Sequence, residues 1–465
     1  MSGASADAVV VVGFRVTGRA VVAFLRQRGD RVVIVEDDPT DERRQQAAAL
    51  GATFVARPDT DELRRILAGS RLVVPSPGIP VRHPVYAAAA ATGVAVHSEL
   101  ELGFERLRDR PAAERPALVA ITGTNGKTTV TSLVAAMIVS SGLVAVAAGN
   151  IGLPFIDAAA LVADVLVAEV SSFQLQYTDA FHPAVSCWLN LAEDHLDWHP
   201  TAAHYAAAKA RVWARQGPGD TAVVNRDDPA VAAAAADADH GVPAGVEVVT
   251  FGLAAGDYRQ DTEVLIGPGG VPLVKSSELT RSLPLDVANA LAATATARAV
   301  GASIEGCQAA LRQFTALPHR VELVAERDGV RWYDDSKSTT PASVLAAVAG
   351  FESVVLIAGG RNKGLDLGVL AQAAPRLRAV VAIGEAAAEV EAAFSARVPV
   401  TRADSMAAAV AAAAHDVVPG DAVLLSPGCA SFDWYRSYAE RGEEFTTLVA
   451  ELVGQGSLGS EENRR

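Results

Sequence analysis

Short runs of apolar, largely β-branched residues recur along this chain, each followed by a stretch patterned for a helix. Val9–Val12, Val32–Val35 and Leu72–Val74 are three such runs, and a helical pattern through Val21–Arg28 follows the first. Apolar runs without alternation suit strands covered on both faces, and strands joined by helices lie parallel. Such sheets gather their loops at the carboxyl edge, where ligands bind. The same rhythm returns at Leu118–Ile121, Val165–Val170, Val185–Leu189 and Thr221–Val224. It returns again at Gly329–Tyr333, Val354–Ala358, Val380–Ile383 and Val423–Leu425. The fold class expected is α/β. At 465 residues, and roughly 150 residues per domain, the length suits about three domains. Arg106–Ala117 is charged, contains proline and reads as a linker, so the boundaries fall at 1–110, 111–316 and 317–465.

Composition narrows the function classes. A formal charge of −14 opposes binding to phosphate backbones or anionic lipid, since both need a positive field. A small-molecule substrate is expected, with no nucleic-acid partner. Cys187, Cys307 and Cys429 are widely spaced and odd in number, which suits reduced packing thiols rather than a disulfide framework or a zinc site. The start MSGASADAVVVVG lacks a basic region before its valine run and reads as a strand, not a signal peptide. Leu133–Ala148 is the most membrane-like stretch, but Ser140, Ser141 and Gly142 interrupt it. It is expected to be a buried helix, a turn and a strand. The location expected is the cytoplasm, and the last dozen residues, GQGSLGSEENRR, are expected to be disordered.

The sharpest local signal is Ala120-Ile121-Thr122-Gly123-Thr124-Asn125-Gly126-Lys127-Thr128-Thr129, a strand, glycine loop and helix start. Glycines let backbone N–H groups approach phosphate oxygens, and the helix start adds the positive end of its dipole. Lys127 supplies a charge, and Thr128 has the hydroxyl that a phosphate-bound Mg²⁺ needs. Ile121 stands where the common P-loop pattern has its first glycine, so the spacing points away from most P-loop ATPases. At the N-terminus, Gly13-Phe14-Arg15-Val16-Thr17-Gly18 looks like a dinucleotide fingerprint, but Arg15 replaces its second glycine. That argues against NAD and leaves room for a nucleotide diphosphate on the loop, with Glu36 or Asp37 near a ribose.

Further motifs follow in order: Gly149-Asn150-Ile151-Gly152, Glu169-Val170-Ser171-Ser172-Phe173-Gln174 and Asn190-Leu191-Ala192-Glu193-Asp194-His195. Beyond them come Leu317-Pro318-His319-Arg320, Asp335-Ser336-Lys337-Ser338-Thr339 and Leu425 through Asp433. In order and spacing these resemble the Mur ligases over nearly the whole chain, and in detail the branch that adds D-glutamate. The resemblance implies a uridine-nucleotide domain, a central ATPase domain and a C-terminal amino-acid domain. It implies ATP-dependent addition of D-glutamate to UDP-N-acetylmuramoyl-L-alanine through an acyl phosphate, by a monomer, in peptidoglycan precursor synthesis.

The same resemblance implies residue roles. Gly123 through Thr129, with Asn289, Arg320 and Asp335, would bind ATP. Lys127, Glu169, His195, Lys209 and Lys337 would be catalytic. Two Mg²⁺ ions would sit on Thr128, Glu169, His195 and a carbamylated Lys209. A bare ammonium beside two divalent cations would be repelled, whereas a carbamate becomes an oxygen ligand. Val16, Thr17, Gly78, Asn150, Ser171 and Gln174 would face the nucleotide substrate, and Thr339, Lys363, Ser431 and Tyr438 the glutamate. The chain departs from the family at Leu285 and Asp286, where many members carry His-Asn near adenine. It departs too at Thr340, in place of an asparagine, and at Asp38, where some members have a basic residue near uracil. Three rivals remain: a relative adding L-glutamate, a folylpolyglutamate synthetase-like ligase, and a nucleotide-binding regulatory module, which would be expected to have broken catalytic positions.

Overall fold

The computed structural model describes residues 7–196 and 198–455. Its chain forms two compact units, one holding most of the chain to Val274 with Ala290–Leu311, the other the rest. In the first unit, a five-stranded sheet runs in the order Thr53–Ala56, Val32–Glu36, Ala8–Val12, Ser70–Pro75, Ala95–Val96, all parallel. Val9 and Val11 enter one hydrophobic cluster and Val10 and Val12 another, so both faces of the strand are covered. That is why it reads as an unbroken apolar run. A second, six-stranded parallel sheet has the order Glu247–Phe251, Thr221–Asn225, Val185–Trp188, Ala117–Thr122, Val165–Glu169, Ala145–Gly149. The stretch from Leu133 to Ala148 resolves into the helix Lys127–Ser140, a turn and the strand Ala145–Gly149, as expected.

In the second unit, a six-stranded sheet runs Glu322–Arg327, Val330–Asp334, Ala422–Gly428, Val354–Gly359, Leu377–Ile383, Val400–Ala403. Its first pair is antiparallel, because only the two-residue turn Asp328-Gly329 joins those strands; the rest are parallel. Val354, Leu356 and Ala358 face one core cluster, Val355 and Ile357 the other.

Three sequence readings need correction. The first helix begins at Val16, not Val21, so Val16 and Thr17 form its opening turn. Residues 106–117, read as a linker, do connect the first two sheets, but they begin as helix and are held to the protein. The helix Glu99–Arg108 continues to Arg108, with Leu102 in the core of the first sheet and Leu100 and Leu107 in that of the second. Arg106 and Arg110 donate to the carbonyls of Ile156 and Leu161. Charged side chains that bind backbone look like a solvated linker when only composition is read. Gly454 and Gln455, counted with the disordered tail, end the helix Tyr438–Gln455; residues 456–465 lie outside the described residues. All three cysteines are buried and unpaired. Among the described residues, no helix is long and apolar enough to cross a membrane.

Candidate active site

The central strand Ala117–Thr122 delivers the chain to the glycine loop, and the helix Lys127–Ser140 leaves it. Gly123 has φ +156°, and a Cβ there would lie 3.0 Å from the Cβ of Leu189; Gly126 caps the helix at φ +82°. Both positions need glycine for backbone conformation, and Gly123 for space as well. The loop is clipped by Asn190, whose carbonyl accepts from the Thr124 N–H at 3.1 Å. The Asn190 side chain accepts from Asn125 N–H at 2.8 Å and donates to Asn125 O at 3.1 Å. Asn190 carried no role in the sequence reading, although it opens a motif quoted there. The Lys127 ammonium donates to the carbonyls of Gly123 and Thr124 at 2.9 and 2.8 Å. Thr128 and Thr129 follow in the first helical turn, half-buried.

Glu169 ends the neighbouring strand, buried at 2% exposure. One carboxylate oxygen accepts from the Asn150 amide at 3.0 Å, and the other is buried with no hydrogen-bond partner among the described residues. An orphaned, buried acidic oxygen is costly unless a cation completes it. Together with the Thr128 hydroxyl at the same sheet edge, this donor set fits a hard divalent cation.

Lys209, near the end of the helix Ala202–Ala210, is buried and donates to Gly123 O at 2.7 Å. Its ammonium lies 4.6 Å from the centre of the Tyr205 ring. Tyr205 in turn is 3.2 Å from the Thr124 hydroxyl. The first unit therefore brings together the glycine loop, Lys127, Thr128, Asn150, Glu169 and Lys209. His195 is counted with the second unit and has a left-handed backbone, with φ +55°.

A cleft of about 650 Å³ in the first unit is lined by Val16, Thr17, Gly78, Asn150 and Gln174, with Asp37 and Asp38 at the same wall. Five of the six residues expected to face the nucleotide substrate thus line one cavity. The sixth, Ser171, forms a capping box with Gln174 on the short helix Ser172–Leu175. Glu36 lines the same cleft and anchors its loop: its oxygens accept from Phe14 N–H at 2.7 Å and Asp38 N–H at 3.0 Å, holding the first loop against the second strand. Asp37 pairs with His83 at 3.1 Å, and Asp38 with Arg43 at 3.1 Å.

In the second unit three loops meet at the carboxyl edge of the sheet. Gly428 N–H donates to Ser338 O, and Arg361 and Ala430 exchange a pair of backbone hydrogen bonds. These join the loops carrying Thr339, Lys363 and Ser431. Lys363 is half-buried and makes no hydrogen bond or ion pair among the described residues, while Ser431 is buried. The Lys337 ammonium lies 4.9 Å from the centre of the Tyr438 ring. Asp335 is buried, accepts from Ser426 Oγ at 2.7 Å and Val321 N–H at 3.2 Å, and burial pushes its carboxyl up to about 7. Arg320 lies within the same electrostatic neighbourhood as Asp335. Asn289 sits half-buried in the helix Pro284–Ala299, and Leu285 packs against the C-terminal core. Thr340 caps the helix Pro341–Val348.

The sequence reading missed Arg441. It is buried and donates to Ser336 Oγ at 2.9 Å, Ser336 O at 2.8 Å and Cys429 O at 3.2 Å, tying two of the three loops together. No motif marks it; only an arginine in a helix with an otherwise apolar inner face hints at a buried partner.

Three family models match in chain order. The MurD-like N-terminal domain of Mur ligases covers residues 7–98, the Mur ligase middle domain 121–297, and the Mur ligase glutamate ligase domain 319–429. The chain belongs to the Mur ligase family. This Mur ligase is 44% identical over 462 residues to the UDP-N-acetylmuramoylalanine–D-glutamate ligase of Frankia casuarinae, a match covering 96% of this chain and 94% of that one. To the protein of the same name from Thermobifida fusca it is 41% identical, with 96% and 98% covered. The solved MurF of Acinetobacter baumannii has a TM-score of 0.61 at 18% identity, covering 96% of this chain and 93% of its own, which shows a shared three-domain fold.

Proposed function

We propose that this Mur ligase joins D-glutamate to UDP-N-acetylmuramoyl-L-alanine at the expense of ATP. The carrying observation is full-length similarity, 44% and 41% identical, to ligases named for that reaction. An intact phosphate loop supports it. The substrate carboxylate attacks the γ-phosphorus of ATP and ADP departs; the glutamate amine then attacks the acyl carbon and phosphate leaves. Anions meet anions in both steps, so cations and N–H donors must be fixed in advance.

In this reading Gly123–Thr129 cradle the phosphates, with Lys127 over them, and Asn289, Arg320 and Asp335 hold the rest of the nucleotide. Mg²⁺ would be held by Thr128 and Glu169, with a second ion on His195 and a carbamylated Lys209, and supplies charge neutralisation at the transferring phosphoryl group. The free oxygen of Glu169 supports the first site. Burial of Lys209 supports a modified lysine, because desolvation disfavours the charged ammonium; the N–H of a carbamate would keep the donation to Gly123 O. Lys337 faces the acyl phosphate. Lys363, Thr339 and Ser431 hold the two glutamate carboxylates, with Tyr438 beside them.

We assign residues 1–110 to the uridine nucleotide, 111–316 to ATP and 317–465 to the amino acid, and place the enzyme in the cytoplasm as a monomer. The test is phosphate release from ATP with UDP-N-acetylmuramoyl-L-alanine plus D- or L-glutamate in parallel. Release with D-glutamate alone is expected; equal or faster release with L-glutamate would overturn the acceptor assignment.

A further inference from the structure

Arg281 engages three partners in the second unit. Its Nε and Nη2 donate to the two carboxylate oxygens of Asp286, each at 2.6 Å, in the fork geometry of a bidentate pair. Its Nη1 donates to Arg320 O at 2.7 Å and also to Val321 O. Asp286 is one of the two family departures at the start of the helix Pro284–Ala299. Its carboxylate also accepts from Leu283 N–H at 3.2 Å.

The backbone that Arg281 grips is strained. His319 and Val321 have φ +60° and +51°, and a β-branched residue in that region is a true outlier. Such a conformation persists only where its surroundings over-determine it. Val321 is held from one side by its N–H to Asp335 and from the other by Arg281 on its carbonyl, with its side chain in the C-terminal core. Arg320 lies between the two strained residues, so its direction depends on both.

We propose that Arg281 and Asp286 form a clamp that fixes the His319–Val321 turn and thereby positions Arg320 for ATP. The proposal rests on the ligase reading above, in which Arg320 holds the nucleotide. Both are positioning residues that act through Arg320. Asparagine at 286 would not serve, because its amide N–H groups would face a guanidinium that has only donors.

Amide hydrogen exchange on the nucleotide-free protein tests the clamp directly. In Asp286→Asn and Arg281→Met, the amides of His319, Val321 and Lys337, all hydrogen-bonded in or against this turn, should exchange faster than in the wild type. Asp286→Glu should restore part of the protection. In steady-state assays both variants should raise the apparent KM for ATP roughly tenfold, with smaller changes in kcat and in the KM for glutamate. The double variant should be no worse than the poorer single one. Unchanged exchange in both variants would overturn the clamp. So would a raised KM with unchanged exchange, which would make Asp286 a direct nucleotide contact. If Arg281→Met fails to fold, the Asn and Glu variants at 286 carry the comparison. Failure of the ligase reading would appear separately, as a wild type that releases no phosphate.

Discussion

The Lys209 ammonium donates to the carbonyl of Gly123 at 2.7 Å, so a helix lysine and the phosphate loop are joined directly. Lys209→Ala should therefore be nearly inactive, by about a hundredfold or more if positioning at the loop is lost. Acetate or formate should partly restore turnover if the lysine works as a carbamate. No rescue, with no electron density beyond Nζ in a metal-bound crystal, would leave Lys209 as a structural donor to the loop.

Lys127→Ala should abolish ATP turnover and leave the fold intact. The side chain is half-buried at the start of the helix Lys127–Ser140 and its ammonium donates to the loop carbonyls of Gly123 and Thr124, outside the hydrophobic core. A circular dichroism spectrum and melting temperature close to wild type are expected. Turnover above about a tenth of wild type would contradict the role of a charge placed over phosphates.

Lys363→Ala should raise the KM for glutamate far more than that for ATP or the UDP-substrate, by about tenfold or more for one lost charge-assisted contact. Lys363 is half-buried on one of the joined loops, the others carrying Thr339 and Ser431, and it makes no hydrogen bond or ion pair among the described residues. Parallel rises in all three constants would instead indicate a collapsed loop.

Arg441→Met should lower the unfolding free energy by about 2–4 kcal/mol, because Ser336 and Cys429 would lose buried, charge-assisted donors. Burial already pushes the guanidinium down to about 10, so its environment tolerates charge only through those contacts. Urea unfolding measures the loss. A change below about 0.5 kcal/mol, the range of ordinary surface substitutions, would show that the loops hold together without it.

Glu99 gives stability a pH dependence. Burial raises its carboxyl from 4.5 to about 7, against the opposing hydrogen bonds from Ile156 and Gln174. The folded state then binds more protons at Glu99 than the unfolded one between those values, so the contribution of Glu99 to stability is fully present below about 4.5 and is lost as pH rises to about 7. Against Glu99→Gln, the wild type should lose up to about 1.4 kcal/mol per pH unit across that window, and nothing further above it. A flat difference from pH 4.5 to 7 would show that Glu99 titrates normally.

How far the sequence could be read depended on whether a property was local. Strand runs such as Val9–Val12 and Val354–Ala358 announce themselves because residues covered on both faces must all be apolar. The phosphate loop is equally plain, since Gly123 and Gly126 answer to local backbone geometry and Lys127 to the adjacent helix start. The ligase family was legible too, because its motifs are contiguous. What the sequence could not settle were relations between distant residues. Glu36 is an anchor because Phe14 lies beside it, and Ser171 caps a helix turned toward Glu99 through Gln174. Arg106–Ala117 binds backbone instead of swinging free, and Arg441 and Arg281 tie together segments about 105 and 40 residues apart. A single arginine's partners are set by which carbonyls the folded sheet edges bring within its reach. That is decided only once the strands are paired.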